Sequence, residues 1–139
     1  MSAESVADRI ALMDVMLTYA KGVDERDLAL YRSCFADDVE VLGFGEETFH
    51  DADAWTAYVT EALEQFGPTQ HMLGPQLATV DGDTAQCRTD VQALHYMKDA
   101  PDTTLTLWAT YETDMARIGG QWKITRHRLL PRGTRVQTG

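Results

Sequence analysis

The C-terminal half of this chain is β-patterned almost without a break, and that limits its fold more than any other feature. Strand-like segments cover about 69–80, 83–98, 103–117 and 121–131. Asp81-Gly82-Asp83, a loop at 98–103 and Gly119-Gly120 join them. Asp-Gly and Gly-Gly between β-patterned runs mark tight reversals. An antiparallel meander is therefore expected. Alternate residues of a strand share one face. In 83–98 the apolar parity reads Ala85, Cys87, Thr89, Val91, Ala93, His95 and Met97. In 103–117 it reads Leu105, Leu107, Ala109, Tyr111, Thr113 and Met115. His95 and Tyr111 thus point inward. His71 shares parity with Leu73, just before Gly74-Pro75 breaks the strand.

Before residue 69 the periodicity is helical. A first helix over about 3–21 carries the row Val6, Ile10, Met13, Leu17, Ala20, at steps of four, three, four and three, and should end near Gly22. A short helix at about 28–35, with Asp27 as N-cap, groups Leu28, Tyr31 and Phe35. A strand follows at 39–44, with 47–50 pairing back through Gly45-Glu46. Asp51 caps a third helix whose face is Trp55, Tyr58, Val59, Ala62, Leu63 and Phe66, until Gly67-Pro68 stops it. Spacing alone makes that face core. With no linker or repeat, residues 1–139 read as one domain. Helices gathered before a meander give an α+β fold, with the helices packed on one face of the sheet.

Bulk composition excludes several functions. A net charge of −10 argues against nucleic acid and anionic membranes as partners, because both need a basic face. Cys34 and Cys87 lack metal-ligand spacing and read as reduced, buried residues of a cytoplasmic protein. The N-terminus shows no basic region followed by an apolar run, and no apolar run approaches membrane-spanning length. No Gly-x-Ser-x-Gly is present, so a serine nucleophile is not expected, and with no GxGxxG or phosphate-binding loop no cofactor is expected.

The chemical lead is Asp24. One helical step of four beyond Ala20 lands on it. A carboxylate at the end of a core-facing row either reaches water or is buried with a partner. The candidate partner is His71, and an acid that orients a histidine makes a general base. Tyr19, His95 and Tyr111 are the candidate donors to a substrate oxygen. Core packing explains each of these residues taken alone; their convergence on one interior exceeds what a core requires. Tyr19 and Asp24 are separated by about 140° on an ideal helix, so they meet one cavity only if the helix ends or distorts near Gly22. A facial metal triad of Asp24, His71 and His95 is the competing chemistry, but no HxH or HxxxH spacing supports it, and no metal is expected.

The run Leu17-Thr18-Tyr19-Ala20-Lys21-Gly22-Val23-Asp24-Glu25-Arg26-Asp27 resembles the end of the first helix in the SnoaL-like, nuclear-transport-factor-like superfamily. So do Phe35-Ala36-Asp37-Asp38-Val39, Thr69-Gln70-His71-Met72-Leu73-Gly74 and Gly119-Gly120-Gln121-Trp122-Lys123-Ile124. The resemblance spans about residues 5–131. It implies a cone: a curved antiparallel sheet closed by N-terminal helices over an apolar cavity. Within the superfamily the chain looks most like the scytalone dehydratase, bile-acid dehydratase and hexachlorocyclohexane dehydrochlorinase branch. That likeness implies an Asp–His pair at Asp24 and His71 and, from bile-acid dehydratase, a tyrosine at Tyr19. It implies a second histidine at His95 after a one-residue shift, and a C-terminal arginine at Arg126, Arg128 or Arg132. Scytalone dehydratase has a tyrosine just before the aspartate, where this chain has Val23.

Residues and resemblance together lead to a cofactor-independent lyase or isomerase acting on a small hydrophobic molecule. The alternative is a ligand-binding or dimerisation module on the same fold, and a third option is a hydrolase or polyketide-cyclase-like enzyme. The resemblance also implies a homodimer or homotrimer, pairing through an outer sheet face that carries Leu94 and Trp108.

Overall fold

The computed structural model describes residues 3–139. Three helices, α1 (Ala3–Asp24), α2 (Leu28–Arg32) and α3 (Ala52–Leu63), pack against six strands. These are β1 (Phe35–Leu42), β2 (Phe66–Leu73), β3 (Leu77–Asp81), β4 (Thr84–Met97), β5 (Thr103–Ile118) and β6 (Gln121–Thr138). They form one curled, unclosed sheet in the order β1-β6-β5-β4-β2, with β3 also paired to β4. The fold is α+β, and β4, β5 and β6 are antiparallel neighbours as the turn residues require. One pair departs from an all-antiparallel sheet: β1 runs parallel to β6. The Val41–Phe49 bridge forms where the 47–50 segment was expected to pair back.

Several boundaries differ from the sequence expectation, each for a local reason. The 69–80 segment is two strands, split at Gly74-Pro75; β2 and β3 lie end to end along β4. Phe66 starts β2 and does not close α3. Phe35 likewise starts β1 and does not end α2. The last strand runs on past residue 131 to Thr138, paired throughout with β5. Asp27 and Asp51 cap α2 and α3 as expected, accepting from the amides of Leu30 (3.1 Å) and Ala54 (2.7 Å).

The largest correction concerns α1. Its buried row is Leu12, Met16, Tyr19 and Val23, whereas Val6, Ile10 and Leu17 are exposed. Both rows have helical spacing, so periodicity cannot choose between them; the tertiary partner does. The helix also runs straight through Gly22. A Cβ at Gly22 would lie 2.7 Å from the Tyr31 nitrogen, so glycine there permits the close crossing of α1 and α2. The helix ends at Arg26, whose φ of +59° is in the left-handed region. Arg26 N–H bonds the Val23 carbonyl (3.1 Å) and Asp27 N–H the Gly22 carbonyl (2.8 Å), a Schellman cap. Glycine is the residue usually found at such a position, and another residue there costs roughly 1–2 kcal/mol.

The core is aromatic. Tyr31, Phe35 and Trp55 are almost fully buried beside Leu12, Met16 and Met115. Each such side chain contributes on the order of 2 kcal/mol as an upper estimate. The inward parity of β4 and β5 holds: Cys87, Thr89, Val91, Ala93, Ala109, Tyr111 and Met115 are all buried. No described helix is long and apolar enough to cross a membrane.

Candidate active site

The concave side of the sheet and α3 border a cavity of about 160 Å³ that is partly open to solvent. Trp55, Tyr58, Val59, Ala62 and Leu63 form its helical wall, with Phe66 beside them. The face read from spacing as core is core at Trp55 and Leu63, with Val59 and Phe66 packed against it, and the same face also lines the cavity. The sheet supplies His71, Ala93, His95, Leu107 and Tyr111, and α1 supplies Tyr19 and Val23. Phe44 closes one side from the loop after β1, where the Tyr58 hydroxyl donates to its carbonyl (3.1 Å). Gly43, at φ +90°, lets this loop cross the backbone of Leu129.

Asp24, at the end of α1, faces β2. Its Oδ1 lies 2.8 Å from His71 Nδ1, and its Oδ2 accepts the His71 backbone amide at 2.8 Å. The Thr69 hydroxyl also donates to Oδ1 (2.9 Å). Burial opposes ionisation of Asp24, but the His71 ring, its amide and Thr69 outweigh it, holding the carboxyl below its ordinary range. An ionised carboxylate only accepts, so Nδ1 carries a hydrogen, and Nε2 is the ring nitrogen left to face a substrate. The side chains of His71 and Asp24 are 10% and 20% exposed, so the pair sits at the cavity rim with a low local dielectric. This also resolves the angle between Tyr19 and Asp24. Tyr19 lines the cavity directly, whereas Asp24 reaches it through His71, and no break in the helix is needed.

His95 stands next to the pair, its ring centroid 5.9 Å from that of His71. Its Nδ1 donates to the Leu105 carbonyl (3.0 Å). Burial lowers its pKa, with the Leu105 carbonyl working against that shift. A neutral ring with hydrogen on Nδ1 offers only a lone pair at Nε2. His95 is thus placed to accept a hydrogen bond and cannot donate one from Nε2 at neutral pH. Tyr19 and Tyr111 are fully buried, and burial pushes both phenols well above their ordinary pKa. They keep their protons and serve as hydrogen-bond donors.

The C-terminal arginines do not enter this site. Arg126 Nε pairs with Glu40 (2.9 Å), Arg128 with Glu112 (3.4 Å), and Arg132 with the Thr110 hydroxyl (3.1 Å), all on the outer face. The inward residue is His127, which the sequence reading missed. It has no exposed surface, and its Nε2 lies 2.9 Å from the Tyr19 hydroxyl. An irregularity in the β5–β6 register between Met115↔Ile124 and Asp114↔Arg126 leaves Thr125 as an extra residue. It flips the parity of β6, so that Trp122 and Ile124 face inward and then His127 and Leu129 do. Among the described residues, no group of three or more His, Cys, Asp or Glu side chains is placed to hold a metal.

The sequence matches the SnoaL-like domain model over residues 4–128. A protein of Mycobacterium tuberculosis described as uncharacterized is 26% identical over 132 residues, covering 91% of this chain and 86% of its own. Among solved structures, a chain assigned as a scytalone dehydratase of Novosphingobium aromaticivorans superposes with a TM-score of 0.89 at 21% identity, covering 100% of this chain and 95% of that one. A hexachlorocyclohexane dehydrochlorinase gives 0.87 at 21% identity, over 97% and 92%. The chain belongs to the SnoaL-like domain family.

Proposed function

We propose that this protein is a lyase or isomerase that removes a proton from carbon in a small, uncharged, hydrophobic substrate. The observation that carries the proposal is the Asp24–His71 contact at the rim of an aromatic cavity. Among the described residues, no lysine or arginine lines that cavity, so a neutral molecule suits it. Two of the similar structures carry names that denote eliminations, of water and of hydrogen chloride.

His71 Nε2 takes the proton from a carbon beside a carbonyl or a leaving group. Asp24 stabilises the imidazolium that forms and keeps its ring in one tautomer. The C–H electron pair becomes a C=C bond or an enolate. In an elimination the leaving group departs with its own bonding pair, and the imidazolium returns the proton to it. Tyr19 or Tyr111 donates to the oxygen that gains charge, between mostly apolar walls that strengthen a hydrogen bond. His95 accepts a hydrogen bond from a substrate hydroxyl and so orients it.

The test is a panel of small cyclic β-hydroxy and β-halo ketones, followed by ultraviolet absorbance as conjugation appears. On any substrate found, His71→Ala and Asp24→Asn should each lose on the order of 10²–10⁴ in turnover. Both variants turning over at the wild-type rate would overturn the assignment in favour of a binding module.

A further inference from the structure

We propose that Arg26 and Thr69 are positioning residues that lock Asp24 as an ionised, correctly aimed partner of His71, a role that rests on reading those two as the working dyad. Arg26 joins the two elements that deliver the dyad. Its Nη1 donates to the Val23 carbonyl at the end of α1 (2.8 Å) and to Thr69 Oγ1 on β2 (2.8 Å). Its Nη2 donates to the Gly67 carbonyl (2.6 Å), also on β2. A guanidinium has no acceptor, so Thr69 Oγ1 must accept from it. The single hydroxyl hydrogen of Thr69 is then left for Asp24 Oδ1. Three donors surround the carboxylate: the Thr69 hydroxyl, the His71 ring and the His71 amide. Each of them favours the charged carboxylate over its protonated form.

The backbone of Arg26 supplies a second argument. At φ +59° glycine is the favoured residue, so the helix end is not the reason for an arginine. The side chain is the reason, and it reaches the dyad through Thr69. The other groups that bear electrostatically on Asp24 are His71 on β2, His95 on β4 and Tyr111 on β5.

Carboxyl ¹³C NMR titration of Asp24 in the full chain tests this, with the rings of His71 and His95 followed in the same series. Thr69→Val should raise the Asp24 midpoint by about half a pH unit or more, because a donor to the charged form is gone. Thr69→Ser should restore the wild-type midpoint. Arg26→Gly should raise the midpoint too, and it should remain folded because glycine suits the left-handed cap and offsets part of what the three lost hydrogen bonds contributed. A wild-type Asp24 midpoint in folded Thr69→Val or Arg26→Gly protein would overturn the proposal. The dyad reading fails by a different result, undiminished turnover in His71→Ala, and that result does not bear on the midpoints of the Thr69 and Arg26 variants.

Discussion

His127 Nε2 lies 2.9 Å from the Tyr19 hydroxyl, at the centre of a cluster that includes Phe44 and Tyr111. The imidazole has no exposed surface, and its Nδ1 has no hydrogen-bond partner among the described residues. A cation in such surroundings is poorly solvated, and burial pushes its pKa down to about 3. His127 therefore holds Tyr19 as a neutral ring. It stands at the inward position of β6, and it gives the cavity a hydrogen-bonded phenol and no fixed positive charge.

That burial makes the fold acid-sensitive. Between about pH 6.5 and 3 the unfolded chain binds a proton at His127 that the folded chain does not, so stability falls as pH falls through this window. The loss approaches the order of 4 kcal/mol by pH 3. Asp24 adds a loss of the same sign at lower pH, as its lowered folded pKa is crossed. Urea unfolding at steps from pH 7 to pH 4 should show a declining midpoint in the wild type and a clearly flatter profile in His127→Phe. Parallel profiles would show that His127 is not the sensitive group.

Gly22→Ala should destabilise the fold by about 2–3 kcal/mol, although alanine is the better helix former. The added methyl would meet backbone atoms of Tyr31, which cannot rotate away as a side chain could. Equilibrium urea unfolding measures the effect; a variant as stable as the wild type would mean that α2 can retreat from α1 at little cost.

The turns and strand parities of β4 and β5 were legible because Asp-Gly, Gly-Gly and two-residue alternation act locally. Asp24 and His71 were legible too, since Asp24 ends α1 and His71 shares strand parity with Leu73 just before Gly74-Pro75 breaks the strand. Three features were not. The α1 sequence is apolar on two sides, and only the sheet decides that Tyr19, not Leu17, is buried. His127 was hidden by the extra residue at Thr125, which no pattern of apolar residues announces. Arg26 sits in a left-handed cap where its charge suggests a solvated surface residue, and its bonds to Thr69 and Gly67 cross more than 40 positions of sequence.

Tyr19→Phe and Tyr111→Phe separate the two phenols. The one that donates to the charge-bearing oxygen should cost about 10²–10³ in turnover when its hydroxyl is removed. Its effect on substrate affinity should be smaller, because the interaction strengthens only as charge develops. The other should behave as a core residue. Single-turnover kinetics on any substrate from the ketone panel makes the comparison; full activity in both variants would remove the phenols from the mechanism.

Cavity size sets the last expectation. An apolar cavity of about 150 Å³ accepts a benzene-sized ring, and the cavity here is about 160 Å³. A single ring with one or two small substituents therefore fills this space. Ala93 is 1% exposed and sits on the floor of the cavity, on the same face of β4 as His95. Ala93→Leu adds three carbon atoms to that space, at the position paired across the sheet with His71. Phenol is a suitable probe, since it combines a ring of this size with one hydroxyl for Tyr111 or His95 to meet. A ligand that binds only the folded state raises its stability in proportion to the logarithm of occupancy. Millimolar phenol should therefore raise the melting temperature of the wild type and leave that of Ala93→Leu unchanged. Equal stabilisation of the two proteins would place the phenol site elsewhere and show that this cavity does not select its ligand by size.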